Sequence, residues 1–173
     1  MGDLATPQGL LHRWDEVLRD SSLQDLPYKI ELNAWGKVEM SPASNRHGRL
    51  QIVPGAEFTR QLPDGVAISE CSILTDIGIR APDVVWASAR FMAAYGEITP
   101  YRRAPEICVE IISPSTVAAE LEAKKLAYFA AGAQEVWFVS EDGPIRYFGP
   151  ASEIAKSDFP VAITLPPPMK GTP

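Results

Sequence analysis

Apolar positions recur along this chain in two different periods, and the switches between them lay out the elements. Over residues 8–20, Leu10, Leu11, Trp14, Val17 and Leu18 fall at helical spacing with charges between them, which predicts an amphipathic helix. The segment from Ser21-Ser22 to Pro27 ends it. Residues 28–40 change to period two. Tyr28, Ile30 and Leu32 alternate with charged or polar residues, Asn33-Ala34-Trp35-Gly36 turns, and Val38 and Met40 alternate again, so a hairpin is expected that Ser41-Pro42 breaks. From Asn45 to Gln61 the spacing is helical again, with a kink or break expected at Pro54-Gly55. Pro63-Asp64-Gly65 is a turn, Val66 to Leu74 reads as one strand, and Ile77 to Ala87 as a second.

Residues 88–105 read as loop, with a short helix near Ala89–Tyr95. Glu106 to Ile112 is apolar on both faces apart from Glu110, the pattern of a strand covered on both sides. A helix then starts at Ser113-Pro114-Ser115-Thr116, with Ser115 or Thr116 as its cap, and runs to about Ala131, where Gly132 stops it. Glu135 to Ser140 and Ile145 to Phe148 are strands joined by a turn at Asp142-Gly143. This order predicts an α/β sandwich around a central mixed sheet flanked by helices. One domain is expected over residues 1–164, followed by an extended or disordered Pro-rich tail over 165–173.

Two acidic residues break the apolar strand-like runs. Asp83 sits in Ala81-Pro82-Asp83-Val84-Val85-Trp86, and Glu110 in Ile107-Cys108-Val109-Glu110-Ile111-Ile112. An unpaired buried carboxylate is costly, so both call for a compensating metal, Lys or Arg. Alternation puts Cys108, Glu110 and Ile112 on one face of their strand. On the following helix Glu120, Lys124, Ala127 and Ala131 form one stripe, beside a stripe of Leu121, Lys125 and Tyr128. A helix packed over the sheet is thus able to present Lys124 toward Glu110. An ordinary Glu120–Lys124 surface pair is the competing reading.

The length of 173 residues suits one self-sufficient core, and no apolar run reaches the roughly 20 residues that span a bilayer. No export signal is read in the first residues, because His12, Arg13, Asp15 and Glu16 stand where its apolar stretch would lie, so a cytoplasmic location is expected. Cys71 and Cys108 are expected as free buried thiols, and two His with no CxxC pair make a zinc site a poor fit. A net charge of −6 argues against a protein that coats nucleic acid through bulk charge. It leaves a nuclease open, since metal ions offset the carboxylates that hold them.

Taken together, Ala81-Pro82-Asp83-Val84, Glu110-Ile111-Ile112-Ser113-Pro114-Ser115-Thr116, Lys124 with Tyr128-Phe129-Ala130-Ala131-Gly132, and Glu135-Val136-Trp137-Phe138-Val139 resemble the Uma-two-type restriction-endonuclease-like family of the PD-(D/E)XK nuclease superfamily. Gly36 to Pro42 and His47 resemble its N-terminal portion, and the likeness spans roughly residues 28–148. The resemblance implies a restriction-endonuclease-like fold and a Mg²⁺-dependent hydrolysis of phosphodiester bonds, in DNA, by a homodimer, with Mn²⁺ as a substitute metal. It implies Asp83 and Glu110 as the paired acids, with the Ile111 carbonyl as a further metal ligand. The superfamily places a lysine two residues after the second acid; position 112 is Ile here, and Lys124 from the next helix takes the matching place. Glu120 stands where the family often has Asp.

Two alternatives compete with an active nuclease. One is a binding or regulatory module that kept the fold without catalysis. The other is a structural subunit in which Asp83 and Glu110 pair with arginines such as Arg80, Arg102 or Arg103. Among other residues, Ser113 is read as a cap, Tyr128 as core with its hydroxyl near the site, and Trp35, Trp86 and Trp137 as packing. His47 is read as an exposed residue at a helix start, with a place near the cleft as the alternative. Arg102 and Arg103 divide between a solvated loop and phosphate contacts.

Overall fold

The computed structural model describes residues 6–171. Helix α1 (Pro7–Arg19) starts where Thr6 Oγ1 accepts the Gly9 N–H at 3.1 Å. It lays Leu10, Trp14 and Val17 onto Leu32 and Ile79 of a four-stranded antiparallel sheet. That sheet is ordered β2-β1-β5-β4, from β1 (Tyr28–Asn33), β2 (Val38–Pro42), β4 (Ile73–Thr75) and β5 (Gly78–Arg80). A second sheet of six strands is ordered β10-β9-β8-β7-β6-β3. It contains β3 (Gly65–Ser69), β6 (Val84–Ser88), β7 (Ile107–Ile112), β8 (Glu135–Ser140), β9 (Ile145–Phe148) and β10 (Glu153–Ile154). Only its β7–β8 pair is parallel, as the intervening helix α4 (Ala118–Ala130) requires. The expected mixed sheet flanked by helices is therefore present, accompanied by a second, smaller sheet.

One face of the large sheet is covered by α2 (Asn45–Gln61), whose Leu50 and Phe58 are fully buried with Val84, Val109 and Trp137. The other face is covered by α4 and the short α3 (Ala89–Tyr95), where Phe91 and Tyr128 pack with Val85, Cys108 and Phe138. With both faces covered, β7 is buried along nearly its whole length, as its continuous apolar run predicts. Among the described residues no helix is long and apolar enough to cross a membrane. Cys71 and Cys108 are free and buried.

The two long strands expected over 66–74 and 77–87 are each divided. Ser69 pairs with Val84 in the large sheet, and Ile73 with Arg80 in the small one. A single antiparallel ribbon thus bends from one sheet into the other. Glu70, at φ 50°, turns one arm, and Ala81-Pro82, where proline removes a backbone donor, turns the other. The ribbon reverses at Gly78, φ 120°, where a Cβ would lie 2.1 Å from the Leu32 carbonyl oxygen, so only glycine fits. This bend matters for function, because it drops Asp83 into the crease between the sheets rather than inside a strand.

Three local expectations also change. Helix α2 runs unbroken through Pro54, since the packed flanks at Leu50 and Phe58 hold it across the one missing donor. Strand β2 continues through Pro42, which is tolerated because β2 is an edge strand. Helix α4 begins at Ala118 with no side-chain cap; Ser113, Ser115 and Thr116 bond one another in the preceding turn instead. The start of the tail contacts the body. Leu165 packs on the α2 side of the core, and the Pro166 and Pro167 carbonyls accept from Arg46 (2.9 Å) and Arg49 (3.0 Å). The packed unit thus extends past residue 164.

Candidate active site

A cleft of about 610 Å³ opens between the β1–β2 hairpin, the first turn of α2 and the β7–α4 connection. Asp83, Glu110, Ile111, Glu120 and Lys124, all singled out from the sequence, line it. Asp83 is 1% exposed, and its carboxylate is fully engaged. Oδ2 accepts the Ile111 N–H at 2.7 Å, tying the crease to β7. Oδ1 accepts from Lys29 Nζ at 2.8 Å and lies 3.3 Å from His47 Nε2. His47 reaches it from the start of α2, where Ser44 Oγ caps the helix by accepting the His47 N–H at 3.0 Å.

Glu110 faces a poorer set of donors. The buried Tyr128 hydroxyl donates to Oε1 at 2.6 Å. Lys124 Nζ stands 3.5 Å from Oε1, and Lys29 Nζ 3.8 Å from Oε2. A third buried carboxylate, Glu31 on β1, completes the cluster. Its Oε1 accepts the Ala81 N–H at 2.7 Å and Lys124 Nζ at 3.0 Å, and Arg80 lies 3.6 Å from Oε2. Arg80 also pairs with Glu39 on β2. Each lysine therefore bridges two acids: Lys29 joins Asp83 to Glu110, and Lys124 joins Glu110 to Glu31.

These contacts drive the two principal acids in opposite directions. Burial pushes the Asp83 pKa upward, but the His47 hydrogen bond and the Lys29 charge outweigh it and hold the carboxyl at about 2. For Glu110 burial is the largest influence and prevails, raising the pKa; Lys124 and Lys29 offset it only in part, and Asp83 and Glu31 add repulsion. Burial acts to lower the Lys29 pKa, yet Glu110, Asp83 and Glu31 together raise it, so Lys29 stays charged. Glu31 is lowered: Lys124 and Lys29 overcome its burial. The hydrogen bond to Asp83 raises His47.

Several sequence expectations are refined by this geometry. Lys124 turns inward toward Glu31 and Glu110, while Glu120 is exposed at the rim of the cleft and makes no ion pair with it. Arginines do not serve as the counter-charges of Asp83 and Glu110; lysines do. Arg103 lies against Gly132 in a separate depression with Arg90 and Glu106, not in the cleft. Trp86 and Trp137 are core residues as expected, but Trp35 is 69% exposed at the hairpin turn, too far out to pack.

Sequence reasoning missed Lys29 and Glu31. Both sit on the same face of Tyr28-Lys29-Ile30-Glu31-Leu32, the face that reads as solvated when Ile30 and Leu32 are taken as the buried one. The available signal was their opposite charge two residues apart, within a strand at a sheet–sheet junction.

In donor chemistry the cluster suits a hard divalent cation, because Mg²⁺ takes oxygen ligands and needs only one or two carboxylates beside water and phosphate. Asp83 and Glu110 are the two carboxylates that would serve such an ion. Among the described residues no group of three or more His, Cys, Asp and Glu side chains is gathered closely enough to hold a metal by itself. The space between the two acids carries the Lys29 ammonium.

Comparison with known proteins agrees with this architecture. No curated protein matches the chain. A solved structure from Anabaena variabilis ATCC 29413, described as "a putative nuclease belonging to DUF820", superposes with a TM-score of 0.61 over 92% of this chain and 88% of its own, at 17% identity. At that identity the likeness speaks for the fold alone. The Uma2 family model, described as "Putative restriction endonuclease", matches residues 14–156, which take in the hairpin, the crease, β7, α4 and β8. The chain belongs to the Uma2 restriction-endonuclease-like family.

Proposed function

We propose that this protein is a Mg²⁺-dependent nuclease that hydrolyses phosphodiester bonds in DNA, acting as a cytoplasmic homodimer. The observation that carries the reading is the meeting of Asp83 from the crease, Glu110 and Ile111 from β7, and Lys124 from α4 on the wall of one open cleft. Asp83, Glu110 and the Ile111 carbonyl are the groups that would hold the ion, with Mn²⁺ as a workable substitute. When bound, such an ion supplies an acidified water and neutralises charge on the scissile phosphate. The protein's own part is positional. The Ile111 N–H and His47 fix the Asp83 carboxylate, Tyr128 fixes Glu110, and Glu31 holds Lys124 at the inner wall, where its ammonium would stabilise charge on a bound phosphate. Glu120, exposed at the rim, would order water near an entering strand.

The direct test incubates the protein with plasmid and single-stranded DNA in Mg²⁺ or Mn²⁺. Cleavage by wild type that falls at least about a hundredfold in Glu110→Ala and Lys124→Ala supports the proposal. Absence of cleavage on every DNA form with either metal would remove it in favour of a non-catalytic binding module. The Lys29–Asp83 ion pair and the net charge of −6 favour that second reading.

A further inference from the structure

Lys29 is the closest cation to both principal acids taken together: 2.8 Å from Asp83 Oδ1 and 3.8 Å from Glu110 Oε2. Its side chain is 12% exposed, and it reaches the pair from β1, an element of the small sheet that contributes nothing else to Asp83. Lys124 does not duplicate it, because Lys124 is engaged with Glu31 and approaches only the other oxygen of Glu110. The charge balance has a consequence. Asp83 and Glu110 together carry −2 when ionised, and Lys29 supplies one compensating charge between them. A divalent ion placed there neutralises both carboxylates and leaves Lys29 as a surplus positive charge at close range, which is strongly unfavourable at low dielectric. A lysine has a flexible four-carbon stem able to carry its ammonium elsewhere. Lys29 lines the cleft, so the open space is adjacent.

We infer that Lys29 is an internal counter-cation that holds the place of the divalent ion between Asp83 and Glu110 and leaves it for the cleft when the ion binds. This rests on the metal-dependent reading above. It adds that metal and Lys29 compete for one position, and that the displaced ammonium becomes a second phosphate-facing charge beside Lys124.

Two measurements test this, one of them on the unaltered protein. In wild type, amine-reactive labelling followed by peptide mass spectrometry should show Lys29 protected, and its labelling should rise several-fold on saturation with Mn²⁺. Calorimetric titration of Mn²⁺ should give a dissociation constant about tenfold or more lower for Lys29→Met than for wild type, about 1.4 kcal/mol. Lys29→Arg should bind no tighter than wild type. Unchanged Lys29 labelling while calorimetry reports bound Mn²⁺, or Lys29→Met binding equal to or weaker than wild type, overturns the competition and leaves the metal site standing. No binding by wild type or Lys29→Met at millimolar Mn²⁺, with Glu110→Ala indistinguishable from both, overturns the metal reading itself and the inference with it.

Discussion

Asp83→Asn isolates the most heavily tied carboxylate of the crease, and its effect should depend on pH in a calculable way. Removing one partner of a buried pair costs roughly 3–5 kcal/mol, because the other charge is left uncompensated. Asn keeps an oxygen for the Ile111 N–H, so about 3 kcal/mol is expected at pH 7. Part of that is electrostatic linkage. The carboxyl is held at about 2 in the folded protein against an ordinary 3.8, which at about 1.36 kcal/mol per pH unit stabilises the fold by roughly 2 kcal/mol. The folded value is the depressed one, so this contribution is complete well above 3.8 and is lost as pH falls through about 2. About half of it should be gone by pH 3. Asp83 also raises the His47 pKa, so the gap is read below the range in which His47 titrates: in urea unfolding at pH 5, 4 and 3 it should close by about 1 kcal/mol across the series. A gap that is constant with pH, or that widens toward acid, would refute the assignment of Lys29 and His47 as the groups that hold Asp83 ionised.

Three further outcomes are expected. Glu110→Gln should show the opposite trend: its folded pKa is raised, so ionised Glu110 weakens the fold once pH exceeds 4.5, and the variant should gain on wild type as pH rises from 4 to 7 in urea unfolding over that range. Tyr128→Phe removes the 2.6 Å bond to Glu110 from a fully buried position and should cost roughly 1.5–3 kcal/mol, a fall in Tm of about 3–12 °C by calorimetry. Deleting residues 165–173 removes the Pro167 carbonyl from Arg49 and the Pro166 carbonyl from Arg46, which keeps the Glu141 carbonyl, and uncovers the core surface under Leu165, so the truncated chain should unfold about 1–2 kcal/mol more readily; an unchanged urea midpoint would show that the packed unit ends before Leu165.

What the sequence disclosed follows from how local each feature is. The run Ile107–Ile112 and the helix after it announce β7 and α4 through their own periodicity, and the carboxylate at Glu110 stands out because its neighbours are apolar. The bent ribbon is illegible by the same logic. Val66–Leu74 and Ile77–Ala87 keep strand-like composition across the bend, and only the pairing of Ser69 with Val84 and Ile73 with Arg80, in different sheets, reveals two strands where composition reads one. Lys29 and Glu31 were hidden for a related reason. A charged face on a strand looks solvated unless a second sheet is known to cover it, and the cover here is the crease that the bend creates. His47 needed the same tertiary information, since its approach to Asp83 depends on where α2 begins against the cleft.

The two acids share a cleft yet differ in what keeps them charged, and the difference comes from the elements that supply their partners. Asp83 draws a backbone N–H from β7, an ammonium from β1 and an imidazole from α2, so three elements must come together before it is stabilised. Glu110 draws one neutral hydroxyl from α4 and two more distant ammonium groups, too little to offset full burial. Asp83 is consequently a fixed negative charge at any physiological pH, whereas the charge of Glu110 depends on the cations around it. A doubly charged ion at Asp83 favours ionised Glu110 more than the single charge of Lys29 does. Metal binding is thus expected to be linked both to Glu110 ionisation and to Lys29 release, and Lys29→Met and Glu110→Gln should move Mn²⁺ affinity in opposite directions.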